Sequence, residues 1–292
     1  MAKVECVLDA KATLGEGPLW RGSQKRLYWL DLFGPAVHRF DPATGKDEVL
    51  KAELGAAVGG MVFDRAGRWV VVDREGIHRV DPAEGRRRPL AGQEAVGPGL
   101  TFNDAKCDRQ GRLWTGTGDI DWVKPVGAFY RLDAAGRLDQ VAKPVACSNG
   151  PAFSPDGKRG YYTDGNARHV LTFDIDPATG EAGPHRPFHV FQGETEGPDG
   201  MTVDASGCVW VALWGDGHVA QLAPGGKLER KVKIPVPQPT SVSFGGENMD
   251  LLFVTSARVG LTDDQLREAP LSGSLFAVRT GGRGIPETDF AG

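Results

Sequence analysis

Six stretches of this 292-residue chain repeat one short pattern, and the period of that repeat limits the available folds more than any other feature. They are EGPLW from Glu16, GGMVF from Gly59, NDAKC from Asn103, NGPAF from Asn149, DGMTV from Asp199 and TSVSF from Thr240. Successive starts lie 43, 44, 46, 50 and 41 residues apart, and each stretch closes on an apolar or thiol residue. A turn follows each one (DRAGR, DRQGR, SPDGKR, DASGC), then a second apolar run (LYWLD, WVVVD, GYYTD, VWVALW). A third run often ends in D-P-x-x-G, as in VHRFDPATG and IHRVDPAEG. Asp bonds its own backbone and Gly accepts positive φ, so these are tight reversals between strands. A unit of about 40–50 residues made of four short strands is a propeller blade.

The chain is therefore expected to be all-β, a six-bladed β-propeller with residues 1–292 in one domain. Its 41 glycines and 20 prolines fit many tight turns better than any low-complexity tract. Fourth strands are less regular, and the last blade has none evident after SLFAVR. The N-terminal KVECVLD is a spare strand. It is expected to pair into the last blade and close the ring, which removes two exposed sheet edges.

Composition excludes several functions. The net charge is −4, with no basic stripe for nucleic acid. The one basic cluster, GRRRPL at residues 85–90, reads as a solvated turn. No run of 18 apolar residues spans a membrane, and MAKVECVLDA lacks the apolar core of an export signal. Cys6, Cys107, Cys147 and Cys208 form no C-x-x-C pair, so free thiols in a cytoplasmic protein are expected.

In a propeller the first strand of each blade lines the central channel, and the residue entering it points toward one mouth. Glu16, Gly59, Asn103, Asn149, Asp199 and Thr240 share that phase. Each alone is an ordinary turn or loop residue; the shared phase brings them to one axis. Two acids at close quarters need a cation or a proton between them. Glu16, Asn149 and Asp199 offer only oxygen, which suits calcium, magnesium or manganese, with zinc or Fe(II) where a carboxylate pair is held open. Three protein ligands leave positions for water and substrate. His38, His78, His169 and His218 recur near one blade position and read as packing or surface, and His185 and His189 have no visible partner. No G-x-S-x-G elbow or G-x-G-x-x-G turn supports a serine nucleophile or a dinucleotide site.

The stretches LGEGPLW, FNDAKCDRQGRLWTGT, SNGPAFSPDGKRGYYTD and EGPDGMTVDASGCVWVALW are similar to those of the regucalcin/gluconolactonase family of six-bladed propellers, over nearly the whole chain and in order. The resemblance implies a divalent metal on Glu16, Asn149 and Asp199, the same three that the repeat selects. It implies that Asn103 contacts metal-bound water or substrate and that Asp199 doubles as general base. It implies that Asp121, with Asp119 as a competitor, contacts sugar hydroxyls. Thr101 stands where some relatives carry arginine, a departure that bears on substrate because a hydroxyl does not replace a cationic fork. Trp122 and Trp214 are candidates for cleft walls. The expected function is a metal-dependent lactonase opening a sugar-acid lactone, with calcium the leading cation. The alternatives are a calcium-dependent phosphotriesterase-like hydrolase and a non-catalytic calcium-binding propeller.

Overall fold

The computed structural model describes residues 3–292. Its strands form six antiparallel four-stranded sheets, as the repeat predicts. The inner strands are Gly15–Arg21, Gly60–Phe63, Leu100–Cys107, Ser148–Phe153, Gly197–Val203 and Pro239–Gly245, in blades one to six. Each packs against the inner strands of the neighbouring blades, and blade six packs against blade one, so the ring is closed. The expected closure strand is Lys3–Leu8, which pairs with Leu275–Arg279 from Lys3↔Arg279 to Leu8↔Leu275.

Second strands such as Trp69–Asp73 and Leu113–Asp119 are buried along their whole length. Each sheet is sandwiched between two others, so both faces are covered and WVVVD reads as a continuous apolar run rather than an alternating one. Between blades three and four Trp114 packs among Phe129, Phe153 and Phe173, with ring centroids 5.2–6.0 Å away. Truncating such a residue to Ala costs about 3–5 kcal/mol.

The D-x-x-G turns carry buried acids that hold these tryptophans. Asp108 accepts from the Gln110 and Arg112 backbone N–H groups and from Trp114 Nε1, each at 3.0 Å. Asp204 repeats this with Ser206, Cys208 and Trp210 at 2.9–3.0 Å. A buried carboxylate is tolerable because several donors share its charge.

Two features depart from the sequence expectation. GRRRPL is no solvated turn: Arg87–Ala91 is an outer strand, and the Arg87 guanidinium lies 2.5 Å from the buried Asp73 carboxylate and also meets Glu75. Buried Asp73 needs a counter-charge, and the basic cluster supplies it. Residues 281–292 were not read as any element, and they cross the channel mouth opposite the ring of polar residues. Gly284 N–H donates to Met249 O at 2.8 Å, Phe290 N–H to Phe63 O at 2.8 Å, and Arg21 pairs with Asp289 at 2.5 Å. The histidine expectation matches for His38, which stacks on Trp29 at 3.8 Å and meets Asp47 at 2.6 Å. Asp263–Glu268, capped by Thr262, is short and exposed, and no helix among the described residues is long and apolar enough to cross a membrane.

Candidate metal and active site

Five of the six ring residues lie inside the inner strands rather than before them, each at or next to a break in register, while Gly59 directly precedes Gly60–Phe63. Pairing with the second strand shifts between Glu16 and Leu19, Asn103 and Ala105, Asn149 and Ala152, Pro198 and Met201, and Pro239 and Val242. Bulges re-aim side chains, and here they turn ring residues into the channel end. Blade two has a regular register instead. At Gly59 a Cβ would lie 2.5 Å from Phe102 O, and Asp104 N–H donates to Gly59 O at 2.9 Å. Backbone of blade three thus fills the sixth place. Thr240 turns its hydroxyl to Gly15 O at 2.5 Å and to Thr255 at 2.8 Å, as structural support.

Glu16, Asn103, Asn149 and Asp199 line one cavity of about 390 Å³, and each is only 6–7 % exposed. Asn103 Nδ2 donates to Ser148 O at 2.8 Å and to Asn149 Oδ1 at 2.6 Å. Asn149 Nδ2 in turn points at Cys147 Sγ, 3.4 Å away. Burial first, then the charges of Asp199 and Asp104, holds the Glu16 carboxyl well above the usual carboxylate range. Burial and the charge of Asp104 do the same to Asp199, against the Gly200 N–H that favours its ionised form.

Among the described residues, no Lys, Arg or His side chain lines this cavity. Two buried acids and a carboxamide oxygen, with no basic group in the wall, form a donor set that a divalent cation neutralises. Among the described residues no three His, Cys, Asp or Glu side chains are grouped as a metal site; the third donor here is an amide. The residues present fit a hard divalent ion.

Asp104 was missed by sequence reasoning. It follows Asn103 where four other blades carry Gly17, Gly60, Gly150 and Gly200 and the sixth carries Ser241. Gly17 and Gly150 have φ of +52° and +75°, and Asp104 takes φ +53° in their company. A non-glycine residue there carries strain, which persists where the surroundings fix it. Its carboxylate accepts from Ala105 N–H at 2.8 Å. Burial pushes Asp104 up to about 7, opposed by Lys106. Lys106 Nζ sits 3.1 Å from Glu287 and donates to Met201 O at 2.9 Å. The signal was visible as the one acid in a column of four glycines and a serine. Cys147 was also read only as a free thiol; it lines the cavity, and burial with the charges of Asp199 and Asp164 pushes its pKa up.

The loop after the second strand of blade three differs from the expectation. Asp121 is exposed and is not among the cavity-lining residues. Asp119 accepts from the Val123 and Lys124 N–H groups at 3.2 and 3.0 Å and organises the turn instead. That turn holds Trp122 at φ +58° and places Ile120 and Trp122 on the wall. Trp214 also lines the cavity. Thr101 is buried, donates to Phe102 O at 3.2 Å and does not line the cavity.

The family model described as SMP-30/Gluconolactonase/LRE-like region matches residues 14–258. The chain belongs to the SMP-30/gluconolactonase/LRE-like family. It is 34% identical over 291 residues to a protein of Pseudomonas putida named 6-deoxy-6-sulfogluconolactonase, covering 99% of each chain. It is 35% identical over 289 residues to a pentonolactonase of Haloferax volcanii, covering 96% of each. Among solved structures, a calcium-binding protein, regucalcin, of Agrobacterium tumefaciens superposes with a TM-score of 0.92 at 26% identity, covering 98% of this chain and 96% of the other. As a family member the chain shares the six-bladed architecture of that structure, and Glu16, Asn103, Asn149 and Asp199 sit on four different blades of it.

Proposed function

We propose that this SMP-30/gluconolactonase-family chain is a metal-dependent hydrolase that opens a sugar-acid lactone, with Asp199 as general base. One observation carries this function: Glu16, Asn149 and Asp199 meet in one cavity with two buried carboxylates and no basic residue in the wall. The relatives named as lactonases support it. The name of the regucalcin structure, a calcium-binding protein, supports calcium as the ion, with zinc, manganese, magnesium and Fe(II) as alternatives.

A divalent cation held by Glu16, Asn149 and Asp199 would supply Lewis acidity at the lactone carbonyl and counter-charge for the oxyanion that develops there. The Asp199 carboxylate takes a proton from water as its oxygen adds to the carbonyl carbon. When the ring C–O bond breaks, the same group returns the proton to the leaving alkoxide, giving the hydroxy acid. Both N–H donors of Asn103 are committed, to Ser148 O and Asn149 Oδ1, so its part is to fix Asn149 and to offer its own oxygen to water or substrate. Asp121 is exposed and contributes only if its loop closes over bound lactone. The free state of all four cysteines supports a reducing, cytoplasmic setting.

The test is chelated protein assayed on a lactone panel, then with each ion restored. Hydrolysis that returns with the ion supports the function. Tight ion uptake with no hydrolysis on any lactone would mark a binding propeller instead.

A further inference from the structure

A sugar-acid lactone is amphipathic: its ring carries C–H faces as well as hydroxyls. The ester belongs on the polar floor of the cavity, and Leu14, Leu32, Ile120, Trp122 and Trp214 of the wall suit the C–H faces. Hydroxyls away from the carbonyl give up water partners on entry and need replacements. Among the described residues, Asn166 is the one amide, acid or hydroxyl side chain of the lining besides Glu16, Asn103, Asn149 and Asp199. It is exposed where those four are buried, so it stands toward the mouth, above the floor.

Local structure holds Asn166 in place. It sits in the tight turn between Arg159–Asp164 and His169–Asp174 of blade four. The Asp164 carboxylate accepts from the Ala146 and Cys147 N–H groups at 3.2 and 3.4 Å, and Gly165 N–H donates to Cys147 O at 3.1 Å. The turn is thereby tied to the segment leading into Ser148–Phe153, the strand that carries Asn149. Asn166 Nδ2 donates across the blade boundary to Trp122 O, and Trp122 N–H donates to Asp119 O at 2.8 Å. That bond sets which way the amide faces, because Oδ1 turned to the Trp122 carbonyl would repel it. Among the described residues, Oδ1 and the second Nδ2 hydrogen have no partner. One acceptor and one donor on a planar amide match two neighbouring sugar hydroxyls, one giving and one taking a hydrogen bond.

We propose, resting on the lactonase function above, that Asn166 is the specificity-determining residue that selects a polyhydroxylated lactone. Its Oδ1 accepts from one ring hydroxyl and its free Nδ2 hydrogen donates to a neighbouring one, while the Trp122 and Trp214 indoles cover the C–H faces. Asn166 takes the part expected of Asp121, which lies outside the lining. Being neutral, it reads hydroxyls without adding a third negative charge to a cavity that already holds Glu16 and Asp199. Two such bonds are worth about fivefold to hundredfold in binding.

The calcium-loaded parent and Asn166→Ala are assayed on δ-gluconolactone and on δ-valerolactone, which has the same ring without hydroxyls. The ratio of kcat/KM, δ-gluconolactone over δ-valerolactone, is expected to fall at least fivefold in the variant. Loosening of the Trp122 loop alone slows both lactones alike and leaves the ratio standing. A smaller fall therefore overturns the assignment and makes Asn166 a brace for Trp122, with the lactonase function untouched. The same ratio is read from binding of the two matching non-hydrolysable δ-lactams by tryptophan fluorescence, since Trp122 and Trp214 form the wall, and it decides where a lactone is not turned over. If neither lactone is hydrolysed, the lactonase function fails and the lactams decide alone: a ratio that falls less than fivefold, or no binding of the gluconolactam by the parent, overturns the assignment of Asn166.

Discussion

Asn103 Nδ2 lies 2.6 Å from Asn149 Oδ1, so blade three fixes the orientation of an oxygen donor carried by blade four. Groups that orient a metal ligand without touching the metal are typically worth about 10–100-fold in affinity. Asn103→Ala is expected to weaken calcium binding by about that factor, read by titration calorimetry on chelated protein. An unchanged dissociation constant would show that Asn149 needs no such support.

Asp199→Asn keeps an oxygen at the same place and removes the proton acceptor. Loss of a positioned general base lowers kcat by about 10²–10⁴-fold. That fall is expected in steady-state assays on whichever lactone is best turned over, with the melting transition retained. Full activity in Asp199→Asn assigns the base elsewhere.

Asp104 occupies a left-handed position that Gly17 and Gly150 fill in other blades. Asp104→Gly relieves that backbone strain, which is worth about 1 kcal/mol or more for a non-glycine residue. It also removes one of three neighbouring buried acids. The chelated variant is expected to unfold at higher denaturant than the chelated parent while binding calcium more weakly. A variant both less stable and unchanged in calcium affinity would make Asp104 a purely structural residue.

His185 stacks on Phe173 at 4.7 Å, with both ring nitrogens buried and the Val141 backbone favouring its charged form. Burial holds its pKa below the ordinary 6.5. The unfolded chain therefore takes up a proton near 6.5 that the folded chain accepts only at lower pH. Stability from this group is complete above 6.5 and is lost as pH falls from there toward the folded value. His185→Phe is expected to show a smaller drop in melting temperature between about pH 7.5 and 5.5 than the parent, by calorimetry. Equal drops in the two proteins would exclude His185 as a source of acid sensitivity.

The blades were legible because each buries the same positions against its neighbours, so the 41–50-residue period survives in the residue types. Glu16, Asn149 and Asp199 were legible for the same reason: one phase of the repeat reaches one end of the channel. The bulges were not, since inner strands such as Ser148–Phe153 and Pro239–Gly245 are buried on both faces and carry no alternation whose phase an extra residue could flip. Asp104 stood in plain view, yet a left-handed aspartate is held by its surroundings and not by its own propensity. The turn's Val123 and Lys124 N–H groups claim Asp119, and Asp121 stands exposed outside the cavity lining, neither of which the D-I-D spacing reveals. Residues 281–292 have no period to read, because what places them is pairing with residues far away in the chain, Gly284 with Met249, Phe290 with Phe63 and Ala291 with Gly111. Arg87 was misread because its partner Asp73 is 14 residues away on another strand.

The strand pairing of Lys3 with Arg279 has a consequence for assembly. Blade six is the joint where Lys3–Leu8 meets three strands from residues 239–279. Until that joint is made, the circle is an open arc with two sticky ends and no enclosed chamber. Ligand capture and final closure should therefore arrive together, as the last event of folding.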